Sequence, residues 1–168
     1  MDDSMYWDAN RILSYDMLFN YVIGERGNGK SFGAKKIGIK RFLKSGKQFI
    51  YLRRYDSEIK KAKKKFFKDM DKYFPDNKFD VKGDELTIDG NTCGYLCTLS
   101  VSDNYKSVPY PDVDLIIFDE FIIENIKVHH YLDDEVNKFL SFYDSIGRTR
   151  DIKVLFLANA VTCSNPHF

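Results

Sequence analysis

Gly24-Glu25-Arg26-Gly27-Asn28-Gly29-Lys30-Ser31 decides the reading of this chain. Two glycines with four residues between them, Gly24 and Gly29, followed by Lys and Ser, form the pattern of a phosphate-binding loop. The glycines permit positive φ and leave room for successive N–H groups to curl around an anion. A helix beginning at the end of the loop points its positive N-terminus at the same anion. Lys30 would reach the β- and γ-phosphates of ATP, and the Ser31 hydroxyl would ligate Mg²⁺. The flanks agree. Leu18 to Ile23 reads as a short buried strand, and Phe32 to Leu43 as a helix that stops at Lys44-Ser45-Gly46.

Further along, Val113 to Glu120 is a nearly continuous apolar run ending in two carboxylates. Such a run suits a central parallel strand buried on both faces. Asp119 at its carboxyl end would hold the Mg²⁺ shell, and Glu120 would polarise the attacking water. Lys153 to Ala158 forms another buried strand ending at Asn159, placed to sense the γ-phosphate, to hold the lytic water or to cap the strand. Gln48 to Leu52 is a strand ending in Arg53-Arg54. That pair would meet a phosphate, a neighbouring subunit or solvent. The fold class is therefore α/β: a central, mostly parallel sheet flanked by helices.

Between these pieces, Ser57 to Tyr73 reads as one basic helix, either solvated or in contact with a nucleic-acid backbone. Lys78 to Val101 reads as an inserted antiparallel meander, turning at Lys82-Gly83-Asp84 and Asp89-Gly90-Asn91, with its third strand at Tyr95 to Val101. Glu135 to Ile146 is expected to be a helix with Val136, Phe139, Leu140 and Tyr143 inward. In Met1 to Asp16, the residues Tyr6, Trp7, Ile12, Leu13 and Tyr15 would pack on the domain, or one aromatic ring would stack on adenine.

The chain has 168 residues and a formal net charge of +1. That length suits one domain, and a global field so close to zero makes any nucleic-acid contact a local matter. Three cysteines, Cys93, Cys97 and Cys163, have neither disulfide-framework nor zinc spacing and read as reduced thiols of a cytosolic protein. No run is long and apolar enough for a membrane span, and the acidic, polar start is unlike a secretory signal. His129 and His130 are adjacent and point different ways, so they read as loop residues rather than metal ligands.

Taken in order, Leu13-Ser14-Tyr15-Asp16, the phosphate loop, Tyr51-Leu52-Arg53-Arg54-Tyr55, Ile117-Phe118-Asp119-Glu120-Phe121, Leu157-Ala158-Asn159-Ala160 and Asn165-Pro166 resemble the φ29-like bacteriophage DNA packaging ATPases over essentially the whole chain. The resemblance implies a P-loop NTPase of the additional-strand, catalytic-glutamate type, in which the acid-pair strand is not adjacent to the phosphate-loop strand. It implies a homo-oligomeric ring, a pentamer, at the portal vertex of a procapsid in the host cytoplasm, driving double-stranded DNA inward. Residues 1–168 would be the ATPase domain. A nuclease-like second domain and a structural RNA belong to the full-length family. The resemblance also implies an arginine acting in trans, between the helix after the acid pair and the next strand, a region that Arg148 and Arg150 occupy. Arg148 is favoured over Arg150, and Arg26 is a rival acting in cis. The polar loops Ser102 to Pro111 and Glu124 to His130, with Lys106 and Lys127, are expected to line the ring's channel and touch DNA phosphates. The competing readings are another ring-forming P-loop ATPase and a monomeric nucleotide-dependent switch. No guanine-specifying Asn/Thr-Lys-x-Asp stretch favours the switch.

Overall fold

The computed structural model describes residues 7–27 and 29–160. Asn28, Cys163 and the Asn165-Pro166 stretch lie outside the described residues. The elements are α1 (Ala9–Leu13), β1 (Phe19–Gly24), α2 (Lys30–Ser45), β2 (Gln48–Arg53), α3 (Asp56–Lys63), β3 (Phe79–Lys82), β4 (Glu85–Ile88), β5 (Asn91–Thr98), β6 (Val113–Asp119), α4 (Glu135–Gly147) and β7 (Lys153–Asn159).

One seven-stranded sheet runs β1-β7-β6-β2-β5-β4-β3. The pairs from β1 to β5 are parallel, and β4 pairs antiparallel with both β5 and β3. β7 therefore separates the phosphate-loop strand β1 from the acid-pair strand β6. β2, β6 and β7 are buried along nearly their whole length, as two-faced coverage by helices demands. One face carries the core shared with α1, α2 and α3, and the other carries the core under α4.

Two glycines make room around Phe49, Gly38 on α2 and Gly94 on β5. A Cβ on Gly38 would sit 2.7 Å from the Phe49 ring, and one on Gly94 would sit 2.6 Å from the Phe49 carbonyl oxygen. At the far end of α2, Gly46 closes the helix in the left-handed conformation, at φ 71°.

Four expectations change. β1 is an edge strand rather than a buried one: Asn20 and Val22 face the core while Tyr21 and Ile23 are more than half exposed. Pairing on one side only leaves its second face partly bare, which an apolar run does not reveal. The basic segment is not one helix. α3 ends at Lys63, a turn follows, and Met70–Lys72 is a 3₁₀ turn. The cap is Tyr55, whose backbone N–H donates to Glu58 Oε1 at 3.0 Å while the Glu58 N–H donates to the Tyr55 carbonyl oxygen at 3.1 Å. The meander is part of the main sheet, because β5 pairs parallel with β2. β5 also starts earlier than expected and gives way to a 3₁₀ segment at Leu99–Tyr105. Finally, α4 turns Phe139, Phe142 and Ile146 inward while Val136 is 72% exposed and Leu140 39%. Phe139 and Phe142 belong to an aromatic cluster with Phe19, Phe118, Tyr105 and Phe156, whose packing sets the helix rotation.

Candidate functional site

The carboxyl ends of β1, β7 and β6 converge on one crevice, where ligands of open α/β sheets bind. The phosphate loop leaves β1 at Gly24 and turns through Gly27 (φ 85°) and Gly29 (φ 74°), conformations that an L side chain rarely adopts. Gly29 is the N-cap of α2 and has no side chain to occupy the helix's first N–H groups. The start of such a helix suits an anion.

Lys30 is buried in the loop. Its Nζ donates to Gly24 O at 3.0 Å and Glu25 O at 2.7 Å. Burial lowers its pKa, with Asp119 and then Glu124 opposing that shift. Ser31 Oγ donates to Asp119 Oδ2 at 2.6 Å, and Tyr51 OH donates to the same oxygen at 2.7 Å. The buried Asp119 also accepts the Glu120 N–H on Oδ1 at 3.0 Å. Desolvation pushes the Tyr51 pKa well up, with the Asp119 charge adding to the shift, so the hydroxyl stays a donor. A hydroxyl and a carboxylate in direct contact, beside a phosphate loop, are the hard oxygen donors that Mg²⁺ prefers. Ser31 and Asp119 thus fit a metal held jointly with phosphate oxygens.

Glu120 follows in the left-handed region at φ 54°. Two arginines of β2 and its exit control it. Arg53 Nη2 donates to Glu120 Oε2 at 2.8 Å and is also bound to Glu58. Arg54 is buried. It binds Glu135 through two nitrogens, and donates to the backbone oxygens of Glu120 at 3.2 Å and Phe121 at 2.7 Å. Its guanidinium lies over the rings of Tyr131 and Phe118, 4.8 and 5.6 Å from their centroids. Neither arginine faces solvent. Arg54 clamps the turn after the acid pair to the start of α4. Desolvation raises the Glu120 pKa, against the lowering effect of Arg53.

A third contact spans the mouth. Glu124 accepts from Arg26 Nη2 at 2.8 Å and also binds the Asn159 amide. A cavity of about 430 Å³ here is lined by Arg26, Lys30, Ser31, Asp119, Glu120 and Asn159. The fold thus brings Arg26, Lys30, Ser31, Asp119, Glu120 and Asn159 together in one crevice.

Arg148 and Arg150 lie elsewhere. α4 starts beside Arg54 at the crevice and runs back, so both arginines sit near the amino ends of β6 and β7. At about 3.3 Å per residue, the Lys153-to-Asn159 length of β7 sets them roughly 20 Å from the crevice. Both lie between α4 and β7, the expected segment, but at the end of the sheet away from the chain's own crevice. Arg150 is consumed structurally, donating to the carbonyls of Tyr110, Pro111, Val113 and Ile146 at 2.7–2.9 Å. Arg148 is exposed, at φ 52°, with no side-chain partner among the described residues.

Lys106 and Lys127 are both exposed but separated. Lys106 pairs with Asp103 at 2.7 Å on the path returning from β5 to the amino end of β6, whereas Lys127 lies in the loop beyond its carboxyl end. The two loops flank β6 at opposite ends. In the basic segment, Lys60 pairs with Asp56 and Lys63 with Asp84. Among the described residues, no group of His, Cys, Asp or Glu side chains is arranged to hold a metal by itself, and His129 and His130 are exposed. No helix among them is long and apolar enough to cross a membrane.

Sequence reasoning missed Tyr51, Arg53, Arg54 and Glu124 as organisers of the site. The only local signal was the Tyr51-to-Tyr55 stretch, whose charged end was visible without its partners.

The model of the family described as Podovirus DNA encapsidation protein (Gp16) matches residues 1–168. The DNA packaging proteins of Bacillus phages phi29 and PZA are each 43% identical over 169 residues, covering 100% of this chain and 50% of theirs. That of Bacillus phage B103 is 46% identical over 158 residues, covering 94% of this chain and 49% of its own. The chain therefore spans about half the length of these relatives. The crystal structure of the N-terminal domain of the phi29 DNA packaging ATPase superposes with a TM-score of 0.86 at 42% identity, over 97% of this chain and 84% of that one. The large terminase ATPase domain of Thermus phage P74-26 shares the fold at a TM-score of 0.52, with 14% identity over 83% of this chain and 58% of that one.

Proposed function

The chain belongs to the podovirus DNA encapsidation protein (Gp16) family, and from that premise we propose that it is the ATP-hydrolysing motor domain of a ring that drives double-stranded DNA into a procapsid. The observation that carries the reading is the Ser31–Asp119 contact beside Lys30 and Glu120, in one cavity at the end of the phosphate-loop strand. The β1-β7-β6 order supports the additional-strand, catalytic-glutamate class of P-loop ATPase.

In this reading the loop N–H groups and the α2 N-terminus bind the β-phosphate. Lys30 exchanges its two loop carbonyls for phosphate oxygens. Ser31 and Asp119 would hold Mg²⁺, which would supply charge neutralisation at the phosphates. Tyr51 keeps Asp119 oriented through its hydrogen bond to Oδ2. Glu120 accepts the proton of the attacking water once it leaves Arg53, and Asn159 contacts the γ-phosphate or that water once it leaves Glu124. Arg26 and Arg148 are the candidates for stabilising charge on the transferring group. The distance of Arg148 from its own crevice supports action on a neighbouring subunit's nucleotide. Lys106 and Lys127 are proposed DNA contacts. The procapsid portal vertex in the host cytoplasm and a structural RNA are proposed partners of the full-length protein.

A DNA-stimulated ATPase assay on this chain tests the reading. Turnover that rises with double-stranded DNA and vanishes in Lys30→Ala is expected. Nucleotide binding with no turnover under any assembly or DNA condition would overturn it in favour of a switch.

A further inference from the structure

Glu124 lies in the loop that follows the acid pair, and its carboxylate bridges two walls of the crevice mouth. Oε2 accepts from Arg26 Nη2 at 2.8 Å, and Oε1 accepts from the Asn159 amide. The two donors come from adjacent strands in register: Gly24 pairs with Asn159 across β1 and β7, and Arg26 follows soon after Gly24 in the phosphate loop. Both donors line the phosphate cavity, whereas Glu124 lines an adjoining cavity of about 200 Å³ with Arg26, Arg54 and Glu120. The loop bearing Glu124 is anchored at its two ends. Arg54 donates to Phe121 O at 2.7 Å, the Ile123 N–H donates to Tyr131 OH at 2.9 Å, and Tyr55 OH donates to His130 O at 2.7 Å. Between those anchors, the Glu124 side chain ties the loop to the nucleotide crevice.

We propose that Glu124 is a specificity-determining residue that separates ATP from ADP: its carboxylate holds Arg26 and Asn159 in place of a γ-phosphate, so a triphosphate must displace it and a diphosphate need not. The inference rests on the ATPase reading above. A guanidinium and an amide N–H converging on one anion form a donor set that suits a terminal phosphate as well as a carboxylate. The γ-phosphate carries more charge than the carboxylate, and two anions at contact distance repel, so they compete for the same two donors. The Glu124 charge is felt inside the site. Desolvation sets the direction of the Lys30 and Glu120 pKa shifts, lowering the first and raising the second, and the Glu124 charge acts to raise both. The adjoining cavity leaves room for the displaced side chain. Its departure frees Arg26 for the transferring group and unties residues 124–129, the stretch that carries Lys127.

The test compares Mg-ADP with non-hydrolysable Mg-AMP-PNP by calorimetry. Glu124→Ala should tighten AMP-PNP binding by roughly three- to tenfold, the size expected for one hydrogen bond and one largely exposed ion pair that need no longer break. ADP affinity should stay as it was. Arg26→Ala with Asn159→Ala removes both donors, and adding Glu124→Ala to that pair should then change neither affinity. Hydrogen exchange of the wild type gives a second readout: AMP-PNP should speed exchange of residues 124–129, and ADP should leave it unchanged. Equal tightening of both ligands by Glu124→Ala, or tightening that survives the loss of both donors, would reduce Glu124 to general charge repulsion and overturn the proposal. Unchanged AMP-PNP affinity in Glu124→Ala, or exchange that is the same with both ligands, would also overturn it. Each of these results leaves the ATPase reading standing. Failure of the wild type to bind either ligand would overturn both.

Discussion

Ser31 Oγ and Asp119 Oδ2 meet at 2.6 Å across 88 residues of sequence, joining the start of α2 to the end of β6. With Tyr51 on the same oxygen, the carboxylate is oriented before any ligand arrives. Asp119→Asn should therefore abolish turnover by removing charge at the metal position. Tyr51→Phe should preserve the fold and lower turnover more mildly, on the order of tenfold or less for one lost hydrogen bond. The Mg²⁺ dependence of ATPase activity checks both: Tyr51→Phe should require more Mg²⁺ for half-maximal rate, and an unaltered requirement would remove Tyr51 from the metal site.

Lys30→Ala and Glu120→Gln should separate binding from chemistry. The first removes the cation that offsets phosphate charge, so nucleotide affinity and turnover should both fall. The second acts on the water alone, so affinity should persist while the rate drops on the order of a hundredfold or more. Calorimetry and steady-state turnover of the two variants settle the assignment.

The Arg53–Glu120 pair makes a pH prediction. Glu120 must be ionised to accept a proton, and burial raises its pKa above the ordinary carboxylate value while Arg53 holds it down. Activity should therefore fall as pH drops through a value above the usual glutamate range. Arg53→Ala removes the restraining cation, so the acid limb should move to still higher pH. A limb that stays put, or moves down, would show that Glu120 is not the titrating base.

Arg148 and Arg150 should behave oppositely. Arg150→Ala leaves four carbonyls without their donor, and thermal stability should drop by roughly 1–3 kcal/mol. Arg148→Ala should leave stability unchanged and still cost turnover, in the range of roughly 10³–10⁵ for an arginine supplied in trans. Mixing Arg148→Ala with Lys30→Ala subunits, each inactive alone, should partly restore ATPase activity once assembly is verified. A mixture that assembles and stays inactive counts against the trans role.

Gly94→Ala should destabilise the domain even though alanine is a mild change. Its Cβ would meet a backbone oxygen of the neighbouring strand, which cannot swing aside as a side chain can. Overpacking of this kind costs typically about 1–3 kcal/mol. Gly38→Ala meets the Phe49 ring instead and should cost less, since a ring can shift and alanine favours the helix. Chemical denaturation of the two variants gives the comparison.

Short-range chemistry is what the sequence determined by itself. A phosphate loop is written in eight consecutive residues, because strand, glycine turn and helix start are set by local backbone geometry. The Asp119-Glu120 end of β6 and the Asp89-Gly90 turn are legible for the same reason. Tertiary structure alone decided everything that depends on which strands are neighbours. The β1-β7-β6-β2 order brings Tyr51 to Asp119 and Arg53 to Glu120, pairs that the chain separates by 68 and 67 residues. The same order leaves one face of β1 bare, and the reversed run of α4 carries Arg148 away from its own nucleotide site. Side chains at such separations meet only after the sheet has closed, so no periodicity along the chain records them.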